Sequence, residues 1–352
     1  MPARADAGLT ASAGDGDTRP VGAIPRHILV APDSFKGTLS SRRVADAIAR
    51  GLEQAGWATD RCPVADGGEG TLDALAGALR PRLAEVVVSD PLGRPVRARF
   101  GLLERGREGP VAIVESAQAS GLSLLDPRER DPIAASTFGT GELLVAAARE
   151  GARTIYLGVG GSATTDGGAG ALRAVRRAGG LGEARVVVLC DVRTSFENAA
   201  RVFAPQKGAG PDEVRRLTRR LAAQARRLPR DPRGVPLTGA AGGLSGGLWA
   251  QLGAELVPGA PFILDLVEFD RRLRACRAVV TGEGALDAQS LAGKLVSEVA
   301  IRARQAGVPC HAVVGRLDLD RFGLRVLDLQ AVLEAGTPRA IAAAARRLGA
   351  LI

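Results

Sequence analysis

The chain has 352 residues, 46% of them apolar, and a formal net charge of +9. That length exceeds what one hydrophobic core ordinarily serves, so two domains are expected, and no apolar run approaches the roughly 18 residues of a membrane-spanning helix. The basic excess argues against a nucleic-acid partner, because it is almost all arginine scattered among acids and the 3% of aromatic residues nowhere cluster into a platform for bases.

Residues 1–26 are rich in Ala, Gly, Asp, Arg and Pro, without periodicity or the apolar segment of a secretory signal, and are predicted to be a disordered leader. Cys62, Cys190, Cys276 and Cys310 lie far apart, with only His27 and His311 to complete a zinc site. Neither disulfides nor structural zinc are expected, and a reducing cytoplasm is the default location. Lysine occurs only at Lys36, Lys207 and Lys294, each beside a glycine. A compact ammonium suits a phosphate or a transferred group better than the wide fork of arginine.

In chain order, His27 to Ala31 reads as a buried strand running into Pro32-Asp33-Ser34-Phe35-Lys36-Gly37-Thr38. Ser40 or Ser41 then caps a helix with Val44, Ile48 and Leu52 on one face, ending near Gly56. A polar loop at the carboxyl end of a strand is where open α/β sheets bind ligands, which makes Asp33, Ser34 and Lys36 candidate contacts. Pro63 to Thr71 places Asp66 and Glu69 among Gly67, Gly68 and Gly70 at a helix start. Those carboxylates suit magnesium or a substrate hydroxyl, or else complement the helix dipole.

From Ala84 the apolar period changes to two, so Val86–Val88 and Val96–Leu102 read as an antiparallel hairpin around Pro91-Leu92-Gly93-Arg94-Pro95, and Val111–Val114 as another strand. The segment from Gly106 to Gly109 reads as a loop. Ser136 to Glu142 opens a helix that Gly151 stops.

The strand Thr154–Val159 enters Gly160-Gly161-Ser162-Ala163-Thr164-Thr165-Asp166-Gly167-Gly168-Ala169-Gly170. Such a stretch either presents backbone N–H groups to an anion or merely turns the chain. Asp191 follows the strand Arg185–Leu189, and Lys207 precedes a helix begun by Pro211. The five glycines between Gly239 and Leu248 mark a close approach of backbone, to sheet or to ligand. Ala278–Val280 is a strand ending in Thr281-Gly282-Glu283-Gly284, with Asp287, Gln289 and Gly293-Lys294 beyond; His311–Val314, Val326–Leu329 and Ala331–Leu333 read as further strands. Strand–helix alternation at both chain ends predicts a discontinuous first domain, 27–80 plus 275–352, around an inserted second domain, 81–274.

The ordered motifs APDSFKGTLS (31–40), PVADGGEGT (63–71), DPLGRPV (90–96), GTGEL (139–143), GVGGSATTDGGAG (158–170), PQKGA (205–209), GAAGGL (239–244) and TGEG with Asp287, Gln289 and Gly293-Lys294 together resemble the bacterial class I glycerate kinase family over residues 28 to about 350. The resemblance implies ATP-dependent, Mg²⁺-assisted phosphorylation of D-glycerate, most often at the 2-hydroxyl, and the oligomeric state is left open between monomer and homodimer. It also implies two α/β domains with the active-site cleft between them, one flavodoxin-like with a mainly parallel sheet and one an inserted mixed-sheet domain. Thr165 stands where an asparagine is common in the family, and Ala204 replaces a usual glycine.

On that footing Lys36, Asp66 and Asp191 are the expected catalytic residues, with Asp66 and Asp191 also the expected metal ligands. Asp33, Ser34, Arg94, Gly67 and Gly68 are expected to bind substrate, Arg94 as a fork on its carboxylate. Gly160, Gly161, Ser162, Thr164, Thr165, Gly282, Glu283 and Lys294 are expected to bind nucleotide. The alternatives are a kinase of another small hydroxy acid, 3-phosphoglycerate as product, or a non-catalytic metabolite-binding homologue.

Overall fold

The computed structural model describes residues 27–104, 109–288, 290–292 and 294–352. The expected leader, most of the 106–109 loop, Gln289 and Gly293 therefore lie outside the described residues. The strands are β1 (His27–Val30), β2 (Ala58–Arg61), β3 (Arg82–Ser89), β4 (Pro95–Leu103), β5 (Val111–Glu115), β6 (Thr154–Gly158), β7 (Arg185–Cys190), β8 (Glu255–Pro258), β9 (Ala278–Thr281), β10 (Cys310–Val314) and β11 (Leu329–Glu334).

The chain divides into two compact units. Unit 1 takes the described residues up to Asp66 with Asp73–Arg80 and Ala260–Ile352, and unit 2 takes Gly67–Leu72 and Pro81–Gly259. The later boundary lies at 259/260 instead of 274/275, and ion pairs give the reason. Arg302 pairs with Asp265, Asp270 and Glu298, and Arg272 pairs with Asp60, which ties the helices Gly259–Leu266 and Phe269–Arg274 into unit 1. Leu72 goes with unit 2 because its N–H donates to Glu115 Oε1 at 2.7 Å.

Unit 1 is built on an all-parallel sheet ordered β11-β10-β9-β1-β2. Numbered within the unit this is 2-1-3-4-5, the flavodoxin-like order, whose switch point lies between β1 and β9. Alternate strand residues serve opposite faces. Val313 packs with Val44, Ile48, Ile341 and Leu348 on one side, while Ala312 and Val314 pack with Leu286, Val296 and Leu327 on the other. Gly51, in the helix Ser41–Gln54, permits close packing on the helix Pro338–Gly349: a Cβ there would lie 2.1 Å from Ala342 O.

Two features of this sheet differ from the sequence reading. Strand β2, Ala-Thr-Asp-Arg, is a half-exposed edge with no apolar run to announce it. Val326 and Leu327 end the helix Arg321–Leu327 and are not strand, because Asp320 caps that helix by accepting from Gly323 N.

Unit 2 has a mixed sheet ordered β3-β4-β5-β6-β7-β8, antiparallel across β3, β4 and β5 and parallel from β5 to β8. The expected β3–β4 hairpin is present, with Val88 facing Val96. Among the described residues no helix is long and apolar enough to cross a membrane.

Candidate active site

The carboxyl ends of the unit 1 strands converge on a cavity of about 400 Å³, and its wall includes Asp33, Lys36, Asp66, Glu283, Lys294 and Arg316. Backbone bonds carry the sheet pairing onward into the loops and set these side chains. Ala31 N donates to Val280 O, Asp33 N to Gly282 O and Val64 N to Pro32 O. Phe35 and Leu39 exchange backbone bonds around Gly37, whose φ is +78°, so Lys36 stands at the tip of a tight turn.

There Lys36 Nζ lies 3.1 Å from Asp66 Oδ2. Asp33 is pushed up to about 8, first by burial and then by the negative charge of Asp66, against the pull of Lys36 and of the Ser34 N–H that donates to it. Burial likewise raises Glu283, although Ser290 Oγ donates to its Oε1 at 2.6 Å. Lys294 is the N-cap of the helix Leu295–Ala306, and Arg316 donates through Nε to Asp318. Gly282 serves packing, since a Cβ on it would lie 2.1 Å from Val313 O.

In unit 2 the glycines bring loops together backbone against backbone. A Cβ on Gly160 would lie 2.6 Å from Gly68 Cα and 3.3 Å from Asp191 Oδ2, and one on Gly67 would lie 2.9 Å from Leu189 Cβ. Gly67 and Gly68 are buried, and Gly161 alone in the run 160–165 is exposed. The hydroxyls of that run turn inward: Thr164 Oγ1 and Thr165 Oγ1 are buried without a partner among the described residues, and Ser162 Oγ accepts from Lys207 Nζ at 3.0 Å. Lys207 also donates to Thr164 O at 2.5 Å and so grips the run from behind. Burial pulls this ammonium down to about 7, against the raising fields of Asp166 and Asp191.

The glycerate kinase family pattern matches residues 28–180 and 176–347. The chain belongs to the glycerate kinase family. It is 38% identical to the Bacillus subtilis (strain 168) protein named glycerate kinase, covering 83% of this chain and 86% of that one. It is 35% identical to the Escherichia coli (strain K12) protein named glycerate 2-kinase, over 83% and 86% respectively. A crystal structure from Salmonella typhimurium LT2, ascribed to glycerate kinase 2, superposes with a TM-score of 0.77 at 32% identity, covering 93% of this chain and 98% of that one.

In this member of the glycerate kinase family the expected site residues fall into two groups. Lys36, Asp66, Asp33, Ser34, Glu283 and Lys294 share the unit 1 cavity. Asp191 and the Gly160–Thr165 run belong to unit 2. Arg94 also lies in unit 2, already engaged: it donates to Asp90 Oδ2 at 2.6 Å and Glu129 Oε1 at 2.8 Å, pinning the β3–β4 turn. Burial pushes Asp90 up, but two backbone N–H groups and Arg94 outweigh it and hold the carboxyl below its ordinary value.

Among the described residues no cluster of three or more His, Cys, Asp and Glu is arranged to hold a metal ion. One residue of the cavity wall, Arg316, goes unremarked in the sequence, and Lys207, noted there as a lysine suited to a phosphate, is buried in unit 2. Arg316 carries the same signal as Asp33, a polar residue just past the carboxyl end of a strand. Lys207 was visible only as a lysine beside glycine, and its partners come from residues more than forty positions away.

Proposed function

We propose that the protein phosphorylates D-glycerate at the 2-hydroxyl with ATP and Mg²⁺, giving 2-phosphoglycerate. The observation that carries this reading is the Lys36–Asp66 pair beside Asp33, in a cavity at the switch point of a parallel sheet. Phosphoryl transfer asks a protein for in-line positioning, cations on the moving charge and a carboxylate at the attacking hydroxyl.

In this proposal Lys36 and Lys294 supply the cations. Asp66 orients the hydroxyl and takes its proton, and the guanidinium of Arg316 meets the substrate carboxylate. Asp33, whose carboxyl is pushed up to about 8, would offer its oxygens to Mg²⁺ on losing its proton, leaving Asp66 to the hydroxyl; Mg²⁺ takes one or two carboxylates beside water and phosphate oxygens. The bound ion would neutralise charge on the nucleotide phosphates. In unit 2, Gly161 and Asp191 are proposed to meet the nucleotide, which ATP titration of Asp191→Asn tests.

The deciding experiment is a coupled ADP-release assay with D-glycerate and a panel of small hydroxy acids, with the product offered directly to enolase. ADP release with D-glycerate and direct consumption by enolase is expected. A product that enolase ignores until a mutase is added would place the phosphoryl group at the 3-hydroxyl. Faster turnover of another hydroxy acid, or glycerate binding without ADP release, would overturn the assignment.

A further inference from the structure

Unit 2 holds a second concavity, of about 460 Å³, to which the proposed reaction gives no role. It lies among residues 133–136, the start of the helix Ala169–Arg177 and one face of the helix Pro211–Ala225. Arg173, Arg220 and Arg227 line it, and among the described residues none of the three has an ion-pair partner. The one carboxylate in the wall, Asp166, is already saturated. It accepts from Thr137 N, Thr137 Oγ1, Gly168 N and Gly170 N at 2.9–3.1 Å.

Two of the guanidiniums are held in place with donors to spare. Arg220 gives Nη1 to Ile133 O at 2.9 Å and Nη2 to Thr165 O at 3.1 Å, which uses two of the five N–H groups of its fork. Arg173 lies 5.6 Å over the Phe138 ring, a contact that fixes the plane without using an N–H.

We infer that this concavity is a binding site for a small phosphate monoester, distinct from the phosphoryl-transfer site. Three forks around one hollow match the three terminal oxygens of a phosphate dianion, whereas a single carboxylate would engage one fork. Among the described residues no aromatic side chain lines the hollow, so it offers no stacking face for a nucleobase. Arg220 joins the site to the carbonyl of Thr165, at the end of the Gly160–Thr165 run, and its remaining donors are left for a ligand.

Calorimetric titration of the full chain with glycerol 2-phosphate, and separately with inorganic phosphate, tests the inference without using activity. Saturable binding of glycerol 2-phosphate is expected, weakened about tenfold or more in the Arg173→Ala/Arg227→Ala double variant. Turnover without the monoester should stay unchanged in that variant. Arg227→Ala alone, at an exposed position, should show weaker binding if the double variant fails to fold. Equal affinity in wild type and variants, no binding at millimolar concentration, or binding of inorganic phosphate alone would each overturn the assignment.

Discussion

Lys36 and Asp66 meet at 3.1 Å from loops that follow two neighbouring parallel strands, β1 and β2. The lysine side chain is 67% exposed and the aspartate 9%, so water screens the pair and it contributes no more than about 1 kcal/mol to stability. Function and stability should therefore separate here. Lys36→Ala is expected to lower kcat about a hundredfold or more, while its thermal midpoint stays within a few degrees of wild type. ADP release and calorimetry on the same preparation check this, and a variant with near-normal turnover would remove Lys36 from the mechanism.

Lys207 makes stability depend on pH. Its folded value is about 7, pulled down by burial, while an unfolded lysine titrates near 10.4. Between those values the unfolded chain binds the additional proton, so stability rises with pH through that window and is lost as pH falls through about 7. Unfolding free energies from urea titrations between pH 7 and 9.5 should rise by on the order of 1 kcal/mol per pH unit more in wild type than in Lys207→Met. Parallel curves would show that Lys207 is charged in the folded protein throughout.

Asp166 reads in sequence as one more carboxylate in a glycine run, but it is the knot of the segment. Removing it strands the buried N–H groups of Thr137, Gly168 and Gly170, each worth about 1–3 kcal/mol when left unpaired. Asp166→Ala is expected to cost about 3 kcal/mol or more, with the KM for glycerate little changed where the variant is folded. A thermal shift below two or three degrees would contradict this role.

Gly242 and Gly253 both have positive φ, +64° and +69°, but different surroundings. A Cβ on Gly242 would lie 2.1 Å from Thr164 O, whereas Gly253 has nothing within 4 Å. Gly253→Ala should cost about 1–2 kcal/mol, the ordinary penalty of a left-handed conformation. Gly242→Ala should cost clearly more, because backbone must also move. Denaturant unfolding of the pair separates the two effects, and equal costs would mean that the contact with Thr164 relaxes freely.

Much of this architecture is legible along the chain. Apolar runs announce the buried strands, and punctuation by glycine and proline announces the loops. Period-two alternation from Ala84 marks the β3–β4 hairpin. The family motifs themselves lie on contiguous residues, and eight of them in order identify the family. Strand β2 is hidden because an edge strand with polar residues buries too little to leave a pattern.

Order along the chain states which residues border which strand ends, and so it placed Asp33 and Lys36 just past one strand and Glu283 just past another before any coordinate; that they share one cavity is a property of the fold. Tertiary structure alone decided what the glycine-rich runs are for. Close approach of two backbones depends on atoms far apart in sequence, as Gly160 against Gly68 and Gly242 against Thr164 show. It also decided that Arg94 is bound to two carboxylates, that Lys207 is buried, and that three arginines share one hollow. Burial and pairing are properties of the space around a side chain, which residue type and spacing do not encode.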